Sequence, residues 1–150
     1  MAVWELSKTQ RVIGFDRAGD PHSPPEAECV CVDPTSDESL ARGMKHVCED
    51  YGTTIASVVH FATYHNFSGE QSPIYEEVKV RGTERLSEAL RPFEVEQFIF
   101  FSTVLVHASC DFDEQINEDR PLEPKWDCPK SKVATEKVIP LIVAQCRLST

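Results

Sequence analysis

The chain has 150 residues, of which 41% are hydrophobic and 27% are charged, and its formal net charge is -10. This length and balance are typical of one globular domain with a hydrophobic core. The acidic charge disfavours nucleic acid and anionic membranes as partners, and no apolar run reaches the roughly 20 residues of a membrane span.

The first half of the chain predicts, in order, a short helix, two strands and a longer helix. Residues 4–10 are interpreted as the end of a helix, and the apolar runs 11–16 and 29–33 as strands. Thr35-Ser-Asp-Glu38 is typical of a capping box, and Gly52 can end the helix that follows. The apolar stripe of this helix is formed by Leu40, Met44, Val47 and Tyr51.

The second half continues the alternation. The run 55–62 predicts a strand, a helix is expected to begin at Ser72, and the run 97–102 predicts another strand. A helix is then expected from near Pro129 to Val138, and residues 141–146 predict a last strand. The runs do not alternate strictly between apolar and polar residues, which favours strands that are buried on both faces of a parallel sheet.

This order of elements predicts an α/β fold, a Rossmann-like parallel sheet with flanking helices. Ligands of such sheets bind beyond the carboxyl ends of the strands. Asp16, Asp33, the stretch 60–63 and Ser102-Thr103 stand at that edge. An Asp there can accept hydrogen bonds from an adenosine, although Asp also starts many turns, and both interpretations stay open.

Several motifs occur in an order and at a spacing that a known family shares. Over roughly residues 11–140 the chain resembles the NAD-dependent epimerase/dehydratase family, the extended short-chain dehydrogenases/reductases. This family pairs a Ser or Thr after one strand with a Tyr-x-x-x-Lys on the next helix. The matching segments are Val58-Val-His-Phe-Ala62, Val78-Lys-Val-Arg-Gly-Thr83, Phe98-Ile-Phe-Phe-Ser-Thr103, Ile116–Pro124, Cys128-Pro-Lys-Ser-Lys132 and Lys132-Val-Ala-Thr-Glu136.

The resemblance implies nicotinamide-dependent redox chemistry at a hydroxyl or carbonyl carbon, often in a nucleotide sugar. Thr103 matches the Ser/Thr position, Lys132 matches the Lys, and Cys128 stands at the position of the catalytic Tyr. The resemblance further implies a small-molecule nucleotide partner and NAD or NADP as cofactor. The residues that would contact this cofactor are Asp16, Asp33, Phe61, Ala62 and Lys132.

NAD is favoured over NADP because Asp16 suits a free 2′-hydroxyl, whereas Arg17 next to it would suit a 2′-phosphate. The chain has no signal-peptide pattern. Its six cysteines are therefore expected to be reduced thiols, and the cytoplasm is the predicted compartment.

Three departures from the family pattern stand out. A Cys side chain is several ångströms shorter than a Tyr, so the sulfur of Cys128 is expected to fall short of the substrate oxygen. Lys79 occupies an Asn position that supports the catalytic helix in the family. No Gly-x-x-Gly-x-x-Gly turn precedes the first strand, so the first βα unit, with its phosphate-binding amides, is expected to be missing.

Residues 1–150 are therefore interpreted as a single, incomplete NAD(P)-binding Rossmann-like domain, inactive or impaired as this chain. The strand that would join 12–16 to 55–62 is expected to be absent, and exposed sheet edges predict a homo-oligomer. Two alternatives stay open. One is a non-catalytic module that binds a nucleotide or a protein, and the other is an oxidoreductase completed by a partner chain.

Two other kinds of site were weighed. A zinc site needs a second close pair of ligands, and none follows Cys29 and Cys31, so no metal is predicted and these thiols are expected to be buried in a core strand. A thiol nucleophile of the cysteine-hydrolase kind needs a positioned His, and His60 is interpreted as structural. Cys128 is then a small buried thiol at a helix start. The other metal ligands considered were His46, Cys48, His60 and His65.

Overall fold

The computed structural model describes residues 2–17, 27–64 and 72–139. The chain divides into two compact units, Met1–Gly52 and Thr53–Thr150. Both combine parallel strands with helices, which confirms the predicted α/β class. The description of residues 1–150 as one domain stays a prediction.

The first unit contains α1 (Ala2–Ser7), β1 (Val12–Asp16), β2 (Ala27–Cys31) and α2 (Asp37–Tyr51). β1 and β2 pair in parallel, with Val12 opposite Ala27 at one end and Asp16 opposite Cys31 at the other. The second strand was predicted two residues too late, at 29–33. The ladder nevertheless extends past β2, because the Val32 amide donates to the Asp16 carbonyl at 2.9 Å.

The core of the first unit lies where α2 contacts the strand segments. The predicted stripe is confirmed for Leu40, Met44 and Val47, which are buried, but Tyr51 is exposed. Gly43 lies between these side chains in α2. A Cβ at this position would lie 2.6 Å from Val32 Cγ2, so this close approach requires glycine.

The predicted capping box is wrong. Ser36 caps α2, since its hydroxyl accepts a hydrogen bond from the Ser39 amide at 3.2 Å. The Thr35 hydroxyl instead donates to Asp33 Oδ1 at 2.7 Å. The predicted end is confirmed: Gly52 has φ 85° and its amide donates to the Cys48 carbonyl.

The second unit contains β3, a π-helical turn that continues into α3, then β4, a 3₁₀ turn and α4. β3 and β4 pair in parallel, from Thr54 opposite Glu94 to His60 opposite Phe100. In the described residues each of the two strand pairs forms its own two-stranded sheet. The bounds are β3 Thr54–His60, π-helical turn Glu76–Arg81, α3 Gly82–Leu90, β4 Glu94–Phe100, 3₁₀ turn Val104–Val106 and α4 Asp127–Glu136.

Several predicted bounds need correction. The strand predicted to reach Ala62 ends at His60, the strand predicted at 97–102 runs from Glu94 to Phe100, and α4 begins two residues before Pro129. These shifts place Phe61, Ala62 and Thr103 in the loops after their strands. The predicted strand at 141–146 lies outside the described residues.

The core of the second unit combines apolar and polar side chains. Lys79, Thr83 and Thr135 are at most 1% exposed, and Lys132 is 7% exposed. Such groups are costly to bury unless they are hydrogen-bonded. The hydrogen-bond partners of these side chains belong to the candidate functional site. The buried apolar residues are Tyr75, Val78, Leu90, Phe93, Val95 and Val106. Every helix in the described ranges is too short or too polar to cross a lipid bilayer.

Candidate functional site

The carboxyl end of the first sheet carries charged side chains. Asp16 ends β1 and is exposed, and Asp33 follows β2 by two residues. Arg17 Nε lies 3.8 Å from Asp33 Oδ2. The hydrogen bond between Val32 and Asp16 keeps the two strand ends adjacent, so the structure brings together the two acidic residues predicted to bind adenosine.

Asp33 also holds its own turn. Its Oδ1 accepts hydrogen bonds from the amide and the hydroxyl of Thr35, at 2.9 and 2.7 Å. The turn interpretation is therefore correct for Asp33, because one carboxylate oxygen is committed to the backbone. A bound nucleotide would have to share the other oxygen with Arg17.

Aromatic rings stand at the carboxyl end of the second sheet. Phe61 follows β3, and its ring packs on that of Phe101 with centroids 4.2 Å apart. Both rings are nearly half exposed, and Ala62 next to them is half-buried. Phe61 and Ala62, which were predicted to contact the cofactor, therefore lie at the expected edge of this sheet.

His60 is a buried, neutral residue at the end of β3. Its Nε2 lies 2.8 Å from the Thr83 hydroxyl, which itself donates to the Lys79 carbonyl. Because that hydroxyl has a single proton, Nε2 must be the donor to Thr83. Burial first, and the charge of Lys132 second, lower the pKa of His60 to about 4, so the structural interpretation of this residue holds.

Cys128 and Lys132 lie one turn apart on α4 and share a face. The Lys132 ammonium donates to the Phe101 carbonyl at 2.5 Å and lies 4.6 Å from the centre of the Phe100 ring. α4 is thereby attached to the end of β4. Desolvation, followed by the charge of Lys79, lowers the pKa of Lys132.

The sulfur of Cys128 has a partner that the sequence analysis missed. Lys79 Nζ lies 3.0 Å from Cys128 Sγ, and also 5.0 Å from the centre of the Tyr75 ring. Cys128 is half-buried rather than fully buried. The sequence held one signal for this contact. The chain departs from the family pattern at both positions, with Lys79 in place of the Asn and Cys128 in place of the Tyr.

Ser102 and Thr103 take part in the local architecture. The Thr103 hydroxyl accepts from the Leu105 amide at 3.3 Å and so caps the 3₁₀ turn, which packs against α4. The Ser102 hydroxyl donates to Glu136 on the same helix. Thr103 thus stands two residues after the carbonyl that Lys132 binds, at the junction of the loop and α4.

No group of three or more His, Cys, Asp or Glu side chains that could hold a metal occurs in the described parts of the chain. His46 instead contacts Glu28 and Asp50, and His65 lies outside those parts. The prediction of buried thiols in the second strand is wrong: Cys29 is half-buried and Cys31 is exposed. This strand is covered less completely than its apolar sequence indicated.

The chain belongs to the NAD dependent epimerase/dehydratase family, whose sequence model matches residues 4–150. Solved structures of nucleotide-sugar enzymes share its fold. UDP-glucose 4-epimerase of Thermus thermophilus, in complex with NAD, is 24% identical with a TM-score of 0.78, and the match covers 93% of this chain and 45% of that chain.

Two further structures are similar. Another UDP-glucose 4-epimerase is 25% identical, with a TM-score of 0.79, over 95% of this chain and 43% of that one. MoeE5 in complex with UDP-glucose and NAD is 26% identical, with a TM-score of 0.74, over 95% and 44%. The chain therefore spans less than half the length of these proteins. No curated protein sequence is similar enough to count as a match.

NAD is the cofactor that family membership assigns, and the residues present suit only parts of it. In the first unit, Asp16 is exposed at the end of β1 and has the carboxylate that a ribose hydroxyl would need as acceptor, whereas in the second unit the buried Lys132 ammonium donates to the Phe101 carbonyl. The diphosphate needs backbone amides at a glycine-rich helix start. The glycines, at 14, 19, 43, 52, 69 and 82, never stand three residues apart, so this sequence holds no such loop.

Proposed function

We propose that this chain is an NAD-binding domain of an epimerase/dehydratase-like protein that is inactive or impaired as it stands. The parent reaction is nicotinamide-dependent redox at a hydroxyl or carbonyl carbon, in a nucleotide sugar. One observation carries the proposal: the thiol at the catalytic Tyr position is hydrogen-bonded to Lys79, at 3.0 Å.

The expected loss of activity follows from the short length of the Cys128 side chain. A general acid or base must come within hydrogen-bond distance of the proton that it transfers. Cys128 is shorter than a Tyr, and its sulfur is already engaged by an ammonium that is itself buried. The Lys132 ammonium donates to a backbone carbonyl. This pair is therefore poorly arranged to transfer a substrate proton.

The similar proteins support the proposed substrate class. MoeE5 was solved with UDP-glucose and NAD, and other similar structures are UDP-glucose 4-epimerases. The sugar and its nucleotide base are left open. The cytoplasm stays the predicted compartment.

The test is NAD binding to the purified chain by calorimetry, with NADP, AMP and ADP-ribose alongside and Asp16→Asn as the matched variant. We expect no NAD binding at millimolar ligand, because the diphosphate has no amide loop to bind it. Micromolar NAD affinity in the folded chain would contradict the proposal. It would favour instead an oxidoreductase that a partner chain completes.

The turnover arm uses UDP-glucose with NAD and follows both NADH absorbance and conversion of the sugar nucleotide by chromatography, because an epimerase or dehydratase returns the hydride to its product and accumulates no NADH. We expect no turnover by the chain or by Cys128→Tyr, because the new phenol restores reach but supplies no diphosphate site. Conversion of UDP-glucose by Cys128→Tyr would show that the thiol alone limits activity.

A non-catalytic nucleotide-binding module is the second candidate. It is favoured by the exposed Asp16 carboxylate at the end of β1, next to Asp33. This candidate predicts AMP binding that Asp16→Asn weakens, with no turnover. The partner of such a module could also be a protein. Pairing of two chains through exposed sheet edges would give a homo-oligomer. Sedimentation velocity of the full chain tests for this oligomer.

A further inference from the structure

A charged residue stands inside the apolar strand β2 and contacts the end of α2. This residue is Glu28, whose Oε1 lies 2.5 Å from His46 Nε2 and whose Oε2 accepts a hydrogen bond from the Tyr51 hydroxyl. The other ring nitrogen, His46 Nδ1, lies 3.0 Å from Asp50 Oδ2. The last part of α2 is therefore tied to β2 through one imidazole ring and one phenol.

The two contacts of His46 favour one protonation state of its ring. A neutral imidazole has a single ring N–H, so its bare nitrogen would face the lone pairs of one carboxylate. The imidazolium has two N–H groups and can donate to both Glu28 and Asp50. The hydrogen bond to Glu28 is the largest cause that raises the pKa of His46, and the nearby carboxylate charges raise it further. Geometry and charge therefore agree on the doubly protonated ring.

The charge pattern of α2 gives the imidazolium a second role. The C-terminal end of a helix carries a partial negative charge and favours cations. The last turn of α2 nevertheless has no basic residue and contains Glu49 and Asp50. Lys45 Nζ lies 3.6 Å from Glu49, whereas Asp50 faces His46. Loss of a proton from His46 would therefore leave Asp50 and Glu28 around a neutral ring at the negative end of the helix.

This cluster stands where the chain leaves the first unit. α2 ends at Tyr51, and the second unit begins at Thr53. The amide of Gly52 donates to the Cys48 carbonyl at 3.1 Å, so the last hydrogen bond of the helix closes at this boundary. Arg11, which precedes β1, lies with its Cζ 5.0 Å from the centre of the Tyr51 ring. Among the charged side chains here, histidine is the type that changes its charge near neutral pH.

We infer that Glu28, His46 and Asp50 form a proton-dependent latch that holds the end of α2 on β2. The latch is closed while the ring carries both protons. It opens when the ring loses one proton to water, which reaches the 36% exposed side chain of His46, because one carboxylate then loses its donor. The stabilisation is present below the pKa of the unfolded histidine and is lost as the pH rises through the folded pKa. This inference goes beyond the proposed function and requires no bound cofactor.

The experiment measures amide hydrogen exchange of the full chain by NMR from about pH 5.5 to about pH 8.5, on either side of the ordinary histidine pKa. Each rate is divided by that of an unstructured peptide at the same pH, which removes the direct effect of hydroxide. We expect the protection of the Tyr51 and Gly52 amides to fall roughly two- to fivefold as the pH rises, the size of a charge effect at an exposed helix end. The midpoint should equal that of the His46 ring protons.

His46→Gln should lower the protection at acidic pH to the alkaline level of the parent chain and abolish the pH dependence. Lys45→Gln is the matched control, because it removes the neighbouring cation of α2, which pairs with Glu49. This control should keep the pH dependence and its midpoint.

Persistence of the pH dependence in His46→Gln would overturn the inference. A midpoint of amide protection in the parent chain that differs from the midpoint of the His46 ring would overturn it too, and this second comparison needs no variant to fold. Neither measurement involves a nucleotide, so the latch and the proposed function can fail separately.

Discussion

The two units differ in where they keep their polar groups, and one histidine in each shows the difference. His46 in the first unit is 36% exposed at its side chain and bonds to Glu28 and Asp50. His60 in the second unit is 6% exposed and bonds to the Thr83 hydroxyl. The hydrogen bond from Glu28 raises the pKa of His46, whereas burial lowers the pKa of His60 to about 4.

The same contrast applies to the functional residues. The acidic side chains of the first unit stand at or near the surface, where water reaches them. The residues around α4 in the second unit are held by one another, so a change in one alters the environment of the next. We therefore expect substitutions in the second unit to have larger effects.

The largest expected effect is acid destabilisation through His60. Unfolded histidine binds a proton near pH 6.5, but the folded residue does so only near pH 4. Because the unfolded state binds more protons in this window, stability is lost as the pH falls from 6.5 towards 4, by up to about 3 kcal/mol. Urea unfolding of the parent chain and of His60→Gln at several pH values measures this.

The Gln side chain can still donate to Thr83 but does not titrate in this range. The parent chain should therefore lose more stability on acidification than His60→Gln. Equal slopes for the two proteins would contradict the buried, neutral state of His60.

The next effect comes from the partner of His60. Thr83→Val keeps the shape of the side chain but leaves the Nε2 proton without its acceptor, and an unpaired buried donor costs roughly 1–3 kcal/mol. Thr135→Val is the matched control, because Thr135 is equally buried and donates to the Ser131 carbonyl. We expect urea unfolding to show the larger loss for Thr83→Val, and a larger loss for Thr135→Val would be evidence against the His60–Thr83 bond.

A smaller effect is expected at the start of α2 in the first unit. Ser36→Ala removes the N-cap and should cost about 1 kcal/mol. Thr35→Ala should cost less, because Asp33 keeps the hydrogen bond from the backbone amide of residue 35. Thermal unfolding of both variants measures the two losses of stability. A larger loss for Thr35→Ala than for Ser36→Ala would indicate that Thr35 is the cap.

The smallest effect is expected at His46, on the surface. Its raised pKa contributes stability that is present at pH values below the unfolded pKa and is lost as the pH rises through the folded one. Glu28→Gln should lower the pKa of His46 towards its ordinary value, as followed by NMR of the ring protons. Asp50→Asn should lower it less, because the hydrogen bond to Glu28 is the largest cause.

The fold class and the order of the main elements could be predicted because they depend on local apolar runs and their spacing. Strand ends were less predictable. β2 was placed two residues too late because the charged Glu28 interrupts the apolar pattern near its start and Val32 extends the apolar run beyond its end. The cap of α2 was wrongly assigned because Thr35 and Ser36 are both good caps, and only the contact with Asp33 decides between them.

The candidate site was predictable only in part. Positions 103, 128 and 132 came from the family pattern, and the structure places Cys128 and Lys132 on one face of α4. The bond between Lys79 and Cys128 joins residues 49 apart in sequence. No helical or strand periodicity connects such positions, so this contact had to come from the folded chain.

The Lys79–Cys128 contact also constrains how this sequence can change. Putting Tyr at 128 removes the sulfur that faces a buried ammonium, and putting Asn at 79 removes the ammonium that faces the sulfur. The first exchange alone leaves a buried ammonium without its partner, and the second alone leaves a half-buried thiol without its donor. We therefore expect positions 79 and 128 to be coupled, so that the effect of exchanging both differs from the sum of the two single effects.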